Sequence, residues 1–250
     1  MALLKNIIVT AAALSLLASA ALAQITSRTF HLTTVSPPAG MNELATVIRT
    51  LDANAIFADE TSKTLTVSGT DAELALAAWL IGQLDSEHPQ SASPQYTVAG
   101  SAQDAVRIFY LVNTPTQAGL NELVTSIRAV GDIHRIFTYS PPKAIAIRTT
   151  GAKAQLAEWL VQQLDVSPGN PPNGERYGFA GPEGSSEVVE VAYLTRERTP
   201  AGLNDAVTAL RTATGIRHIF TRSTPQGIAF RGSADRVQTA ERLLQQLDVQ

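Results

Sequence analysis

Three stretches of this chain end alike: Trp79-Leu80-Ile81-Gly82-Gln83-Leu84-Asp85, Trp159-Leu160-Val161-Gln162-Gln163-Leu164-Asp165 and Arg242-Leu243-Leu244-Gln245-Gln246-Leu247-Asp248. A second anchor precedes each: Ala39-Gly40-Met41-Asn42-Glu43, Ala118-Gly119-Leu120-Asn121-Glu122 and Ala201-Gly202-Leu203-Asn204-Asp205. Nine residues after each glycine stands an arginine (Arg49, Arg128, Arg211), followed by an Ile-Phe pair (Ile56-Phe57, Ile136-Phe137, Ile219-Phe220). Self-similarity at a period of about 80 residues marks repeated supersecondary units, so the 250 residues divide into three copies of one fold.

Within each copy the hydrophobic periodicity changes in a fixed order. A β-type run opens it (29–34, 107–112, 188–194). A helix follows, signalled by Ser36-Pro37, Thr114-Pro115 and Thr199-Pro200, with the stripe Met41, Leu44, Ala45, Ile48 and its equivalents Leu120, Leu123, Val124, Ile127 and Leu203, Ala206, Val207, Leu210. Two strands come next. The second alternates, turning Leu65 and Val67, Ile145 and Ile147, Ile228 and Phe230 inward and Thr66, Ala146 and Ala229 outward. A closing helix buries Leu80, Ile81, Leu84 and their counterparts. This order predicts an α+β fold of three tandem β-α-β-β-α, KH-like two-layer units over 27–85, 106–165 and 187–250. Units of about 60 residues are marginal in burying their own cores, so packing between units or with a partner is expected to stabilise them. Residues 86–105 and 166–186 are rich in Pro, Gly and Ser and lack amphipathic periodicity; they read as flexible linkers and first sites of proteolysis.

Residues 1–23 read as a secretory signal peptide. Lys5 is its only charge, the run from Ile7 to Leu17 is apolar, and Ala21-Leu22-Ala23 offers a cleavage site that leaves Gln24 first. The apolar run is shorter than the ~20 residues a membrane-spanning helix needs, so a periplasmic or secreted protein is expected. With 19 basic and 22 acidic residues the chain carries −3, which argues against polyanion binding. The spacing Gly181-Pro182-Glu183-Gly184 imitates a KH clamp loop but falls in a linker and contains a glutamate, so no nucleic-acid role is assigned. The absence of cysteine excludes disulfides and thiolate chemistry. His31, His88, His134 and His218 have no metal-ligand spacing. Asp85, Asp165 and Asp248 end helices one per unit, too far apart in sequence to suggest an acid–base pair. No catalytic, cofactor or metal site is expected, and the chain reads as non-enzymatic.

The strand exit Leu65-Thr66-Val67-Ser68-Gly69-Thr70 with the ending Ile81-Gly82-Gln83-Leu84-Asp85 resembles the periplasmic N-domains of bacterial secretins, the outer-membrane channels of type II and III secretion and type IV pili. The resemblance covers all three units and implies an interaction or assembly module without the channel domain. Its partner would be a component of the envelope or another copy of itself. A small-ligand or cell-wall-binding protein using clefts between units is the alternative. Candidate interaction residues are Phe109 and Tyr110 on an opening strand expected to form a sheet edge, Trp79 and Trp159 at matching helix positions, and Arg148 and Arg231 at matching strand exits on faces expected to be open. Charge is uneven: 27–85 carries −4, 107–165 carries +2 and 187–250 carries +1, a distribution suited to head-to-tail contact or to steering a partner, with a solvated surface as the alternative.

Overall fold

The computed structural model describes residues 24–52, 55–87, 93–99, 104–140, 142–169, 171–172, 175–180, 185–194, 196 and 199–249. The expected signal peptide, Ala23 included, and the clamp-like 181–184 lie outside them. The first unit runs β1 (Thr26–His31), α1 (Ala39–Asp52), β2 (Ala55–Asp59), β3 (Thr64–Gly69) and α2 (Asp71–Leu84). Its antiparallel sheet has the order β1-β3-β2, with Phe30 opposite Leu65 and Ile56 opposite Val67. This is the expected β-α-β-β-α order. Thr70 starts α2 with a capping box, taking the Glu73 N–H on its hydroxyl while the Glu73 carboxylate accepts the Thr70 N–H at 2.7 Å.

The second unit contains β4 (Gln95–Thr97), β5 (Asp104–Tyr110), α3 (Gln117–Gly131), β6 (Arg135–Tyr139), β7 (Ala144–Thr150) and α4 (Gly151–Leu164). The third contains β8 (Arg176–Ala180), β9 (Ser186–Tyr193), α5 (Pro200–Thr214), β10 (His218–Ser223), β11 (Gln226–Gly232) and α6 (Ala234–Val249). Both sheets have four strands, β4-β5-β7-β6 and β10-β11-β9-β8. The stretches read as linkers therefore each supply a strand, and β5, expected to be an edge, lies between β4 and β7. The added strands are three and five residues long. That is too short for a local period to announce them; pairing with β5 and β9 creates them. Helix α3 begins two residues later than its Thr-Pro signal implies. The Thr114 hydroxyl donates to Asp165 at 2.7 Å, so Thr116 serves as the N-cap and accepts the Gly119 N–H at 3.1 Å.

The units share their cores. Ala146 and Ala229, expected to face outward, are 0% and 2% exposed because each sheet lies on the helices of the preceding unit. Val106, Ile108, Tyr139, Ala144 and Ala146 complete the core of the first unit, and Val189, Val191 and Ala229 complete that of the second. Helix α1 is accordingly packed against two sheets, β2 of its own unit and β6 and β7 of the next, and Met41, Leu44, Ala45, Val47, Ile48 and Leu51 are all buried. The ends of the stack are mostly polar, with Phe57, opposite Thr66 on the outer face of the first sheet, standing 70% exposed among the polar side chains. Ser27 and Ser68, and Thr29 and Thr66, join hydroxyls across the free face of the first sheet, and Asp205, Ala209, Ala213, Arg242 and Gln246 are exposed on the last helix layer. Polar side chains on the outer faces are suited to terminating a repeat stack.

Candidate functional site

The six candidate residues all make contacts inside the chain. Phe109 is 2% exposed and packs in the core of its own unit. Tyr110 points the other way, and its hydroxyl donates to the carbonyl of Gln83 in α2 at 2.8 Å. Burial pushes the Tyr110 phenol up to about 12. Trp79 and Trp159 each meet a tyrosine of the next unit's covering strand, Tyr96 and Tyr177, with ring centroids 5.4 and 5.5 Å apart. These tryptophans anchor a neighbour, and the neighbour is the following repeat. Arg242 takes that place in the third unit and is exposed.

Arg148 and Arg231 are half-buried and buried, not on open faces. Arg148 Nη1 donates to Leu51 O at 2.9 Å and Arg231 Nη1 to Val130 O at 2.7 Å. Each guanidinium thus caps the carboxyl end of the preceding unit's first helix, where carbonyls lack intrahelical partners and the dipole is negative. Arg148 is held by Asp104 at 2.9 Å, and Arg231 lies 3.1 Å from Glu187 and over the Phe179 ring.

Two further devices repeat at the seams. Glu43 accepts the backbone N–H and hydroxyl of Ser140 at 2.8 and 2.9 Å, and Glu122 does the same for Ser223. The closing aspartates act within units: Asp85 accepts the N–H groups of Thr33, Thr34 and Val35, and Asp165 those of Val112 and Asn113. Burial would raise the Asp85 carboxyl, but these hydrogen bonds outweigh it and hold the group below its ordinary value. The sequence signal for the seams was present in the anchors themselves, since Glu43 and Glu122 recur where the third unit has Asp205.

One cleft lies between the second and third units, a pocket of about 220 Å³ lined by Thr114, Pro115, Thr116, Gly119, Pro168 and Arg222 among others. Arg222 is 3% exposed. Its Nε and Nη2 donate to Thr224 O and the Thr114 hydroxyl, and Nη1 has no partner. Tyr139 holds the same register position at the first seam, with its hydroxyl also unpartnered. Sequence reading missed this position because its two residues share no chemistry. Among the described residues no three His, Cys, Asp or Glu side chains could together hold a metal ion, and no helix is long and apolar enough to cross a membrane.

No protein-family model and no curated protein sequence matches the chain. Solved structures do match. ExeD of Aeromonas hydrophila is 16% identical over 91% of this chain and 42% of its own, with a TM-score of 0.22. The N-terminal domain of the secretin XcpQ from Pseudomonas aeruginosa is 12% identical over 57% of this chain and 63% of its own, with a TM-score of 0.25. Dim2p from Pyrococcus horikoshii is 11% identical over 56% of this chain and 90% of its own, with a TM-score of 0.28. The chain thus spans less than two thirds of ExeD and of the XcpQ domain, and its likeness to all three is at low identity and low TM-score.

Proposed function

We propose that this is an exported, non-enzymatic interaction protein of the cell envelope, cleaved between Ala23 and Gln24 and acting in the periplasm or outside the cell as an accessory of a secretion or type IV pilus system. The observation that supports it is the use made of polar residues that recur between the units. Arg148, Arg231, Glu43 and Glu122 are spent on joining one unit to the next, which leaves a stacked scaffold whose outer surfaces are free for a protein partner. The resemblance of Leu65–Asp85 to secretin N-domains supports the choice of pathway. Mass spectrometry of protein from its native envelope should begin at Gln24, and in-cell cross-linking should recover a secretion or pilus component. Intact Met1 in the membrane fraction, or no cross-linked protein, would overturn the reading.

The second reading, a small-ligand protein, is favoured by the pocket at Arg222, where a buried cation keeps one unsatisfied nitrogen. A defined ligand that raises the melting temperature of the wild-type protein but not of Arg222→Met would support it, because binding to the native state stabilises that state.

A further inference from the structure

We propose that the outer edge of β1 receives an extended segment of a protein partner, added antiparallel, with a carboxylate or amide side chain opposite Arg28; this deepens the envelope-interaction reading and rests on it. The molecule shows twice what belongs at this edge. Strand β4 covers β5 and β8 covers β9, whereas β1 pairs only with β3 among the described residues. In both covered units a polar pair crosses the added strand at one register position. Gln95 lies opposite Arg107, whose Nε donates to the Gln95 side-chain Oε1 at 2.7 Å, and Arg176 lies opposite Glu190, donating from Nε to its carboxylate at 2.8 Å. Arg28 occupies that position in the first unit: it lies opposite Val67 as Arg107 lies opposite Ile147. Its contact is with the Phe30 ring, 4.9 Å from Cζ.

The backbone agrees. Ile108 donates its N–H to Pro94 O at 3.1 Å, across the β4 edge. The equivalent residue is Thr29. Leu32 N–H donates to Lys63 O, so by strand alternation the N–H groups of Arg28 and Phe30 face β3 while those of Ser27 and Thr29 face away. Thr26–His31 contains no proline to guard this edge, and the one charge on its core-side face is Arg28 itself, opposite the buried Val67. Ile25, 75% exposed, extends it with an apolar side chain. β4 and β8 each arrive from the residues just before their unit, and the matching residues before β1 belong to the signal peptide that export removes. A second copy does not fit, because β1 has no carboxylate or amide with which β1–β1 pairing could meet Arg28.

The test uses the chain from Gln24 to Gln250 and two synthetic peptides of Ser93–Val98, one carrying Gln95→Glu and the other Gln95→Lys. Wild-type protein should bind the first about tenfold more tightly, the scale of a charge-assisted hydrogen bond, with NMR shifts centred on the Ser27 and Thr29 amides. Arg28→Glu should invert the preference. Thr29→Pro removes an outward N–H without touching the ladder to β3, so it should abolish binding while leaving the melting profile near wild type; should that variant misfold, the Arg28→Glu inversion still decides. No shift at β1, or a preference that does not invert, overturns the proposal. Concentration-dependent dimers lost in Thr29→Pro would assign the edge to a second copy and overturn the choice of partner. Envelope cross-links retained in full by Thr29→Pro exclude this edge and leave the interaction reading standing, whereas peptide binding with no envelope cross-link upholds the edge and removes that reading.

Discussion

Tyr139 and Asp85 show opposite ways in which a single polar side chain meets burial. The Tyr139 hydroxyl is buried without a partner, and burial first, then the nearby Asp85 and Glu43 carboxylates, push its phenol well above the ordinary range. A buried hydroxyl that makes no hydrogen bond costs stability. Tyr139→Phe should therefore be neutral or stabilise by up to about 1 kcal/mol in urea unfolding; a clear loss would mean that the hydroxyl has a partner. Asp85 is the satisfied case, and Asp85→Asn should cost roughly 1–3 kcal/mol at neutral pH. Its folded carboxyl sits below the ordinary value, so its contribution is complete above the unfolded pKa and disappears as pH falls through the lower folded one. Wild type should accordingly lose stability faster than Asp85→Asn below about pH 4. The recurrence of the aspartate was legible from sequence. Its receptor, the loop of Thr33, Thr34 and Val35, was not, because those residues lie some fifty positions away and carry backbone donors that every residue has.

At the level of elements, the helices and core strands follow from period alone. The i, i+3, i+4, i+7 stripe of α1 and the alternation of β3 place Met41, Ile48, Leu65 and Val67 in the core, as expected. The same stripe could not reveal that Val47 and Leu51 are buried as well, since a second apolar face has meaning only when another sheet lies on it. Strands β4 and β8 were illegible for a related reason: three to five residues carry no period, and their hydrogen bonds lie in another element. Arg231 links the scales. Its guanidinium is 5% exposed and donates to the end of α3, so Arg231→Met should remove a charged hydrogen bond and leave Val130 O unpaired. A loss of about 2–3 kcal/mol is expected in chemical denaturation. Val130 amide exchange should quicken locally; unchanged exchange there would mean that the cap does not hold the helix end.

Across the whole molecule the cores run from unit to unit, so unfolding should be cooperative through both seams. Ala146→Glu is diagnostic. On an independent unit it would replace an exposed alanine with little effect, but here it puts a charge into the core of the first unit, against α1, and should cost about 3 kcal/mol or more. The melting of the first unit, followed at Trp79, should fall together with that of the second, followed at Trp159; a shift confined to Trp159 would show that the units fold separately. Shared cores also change the expected proteolysis, because β4 and β8 are held in sheets and should resist first cleavage. Repetition, amphipathic period and composition are properties of neighbouring residues, and they alone specify three α+β units and the residues lining each private core. Packing alone establishes that Ala146 and Ala229 face a preceding helix layer, that Arg148 and Arg231 cap another unit's helix, and that among the described residues β1 and not β5 is left as an edge. Those outcomes depend on which surfaces meet in space, and residues separated by about a hundred positions leave no period in the chain from which their meeting could be read.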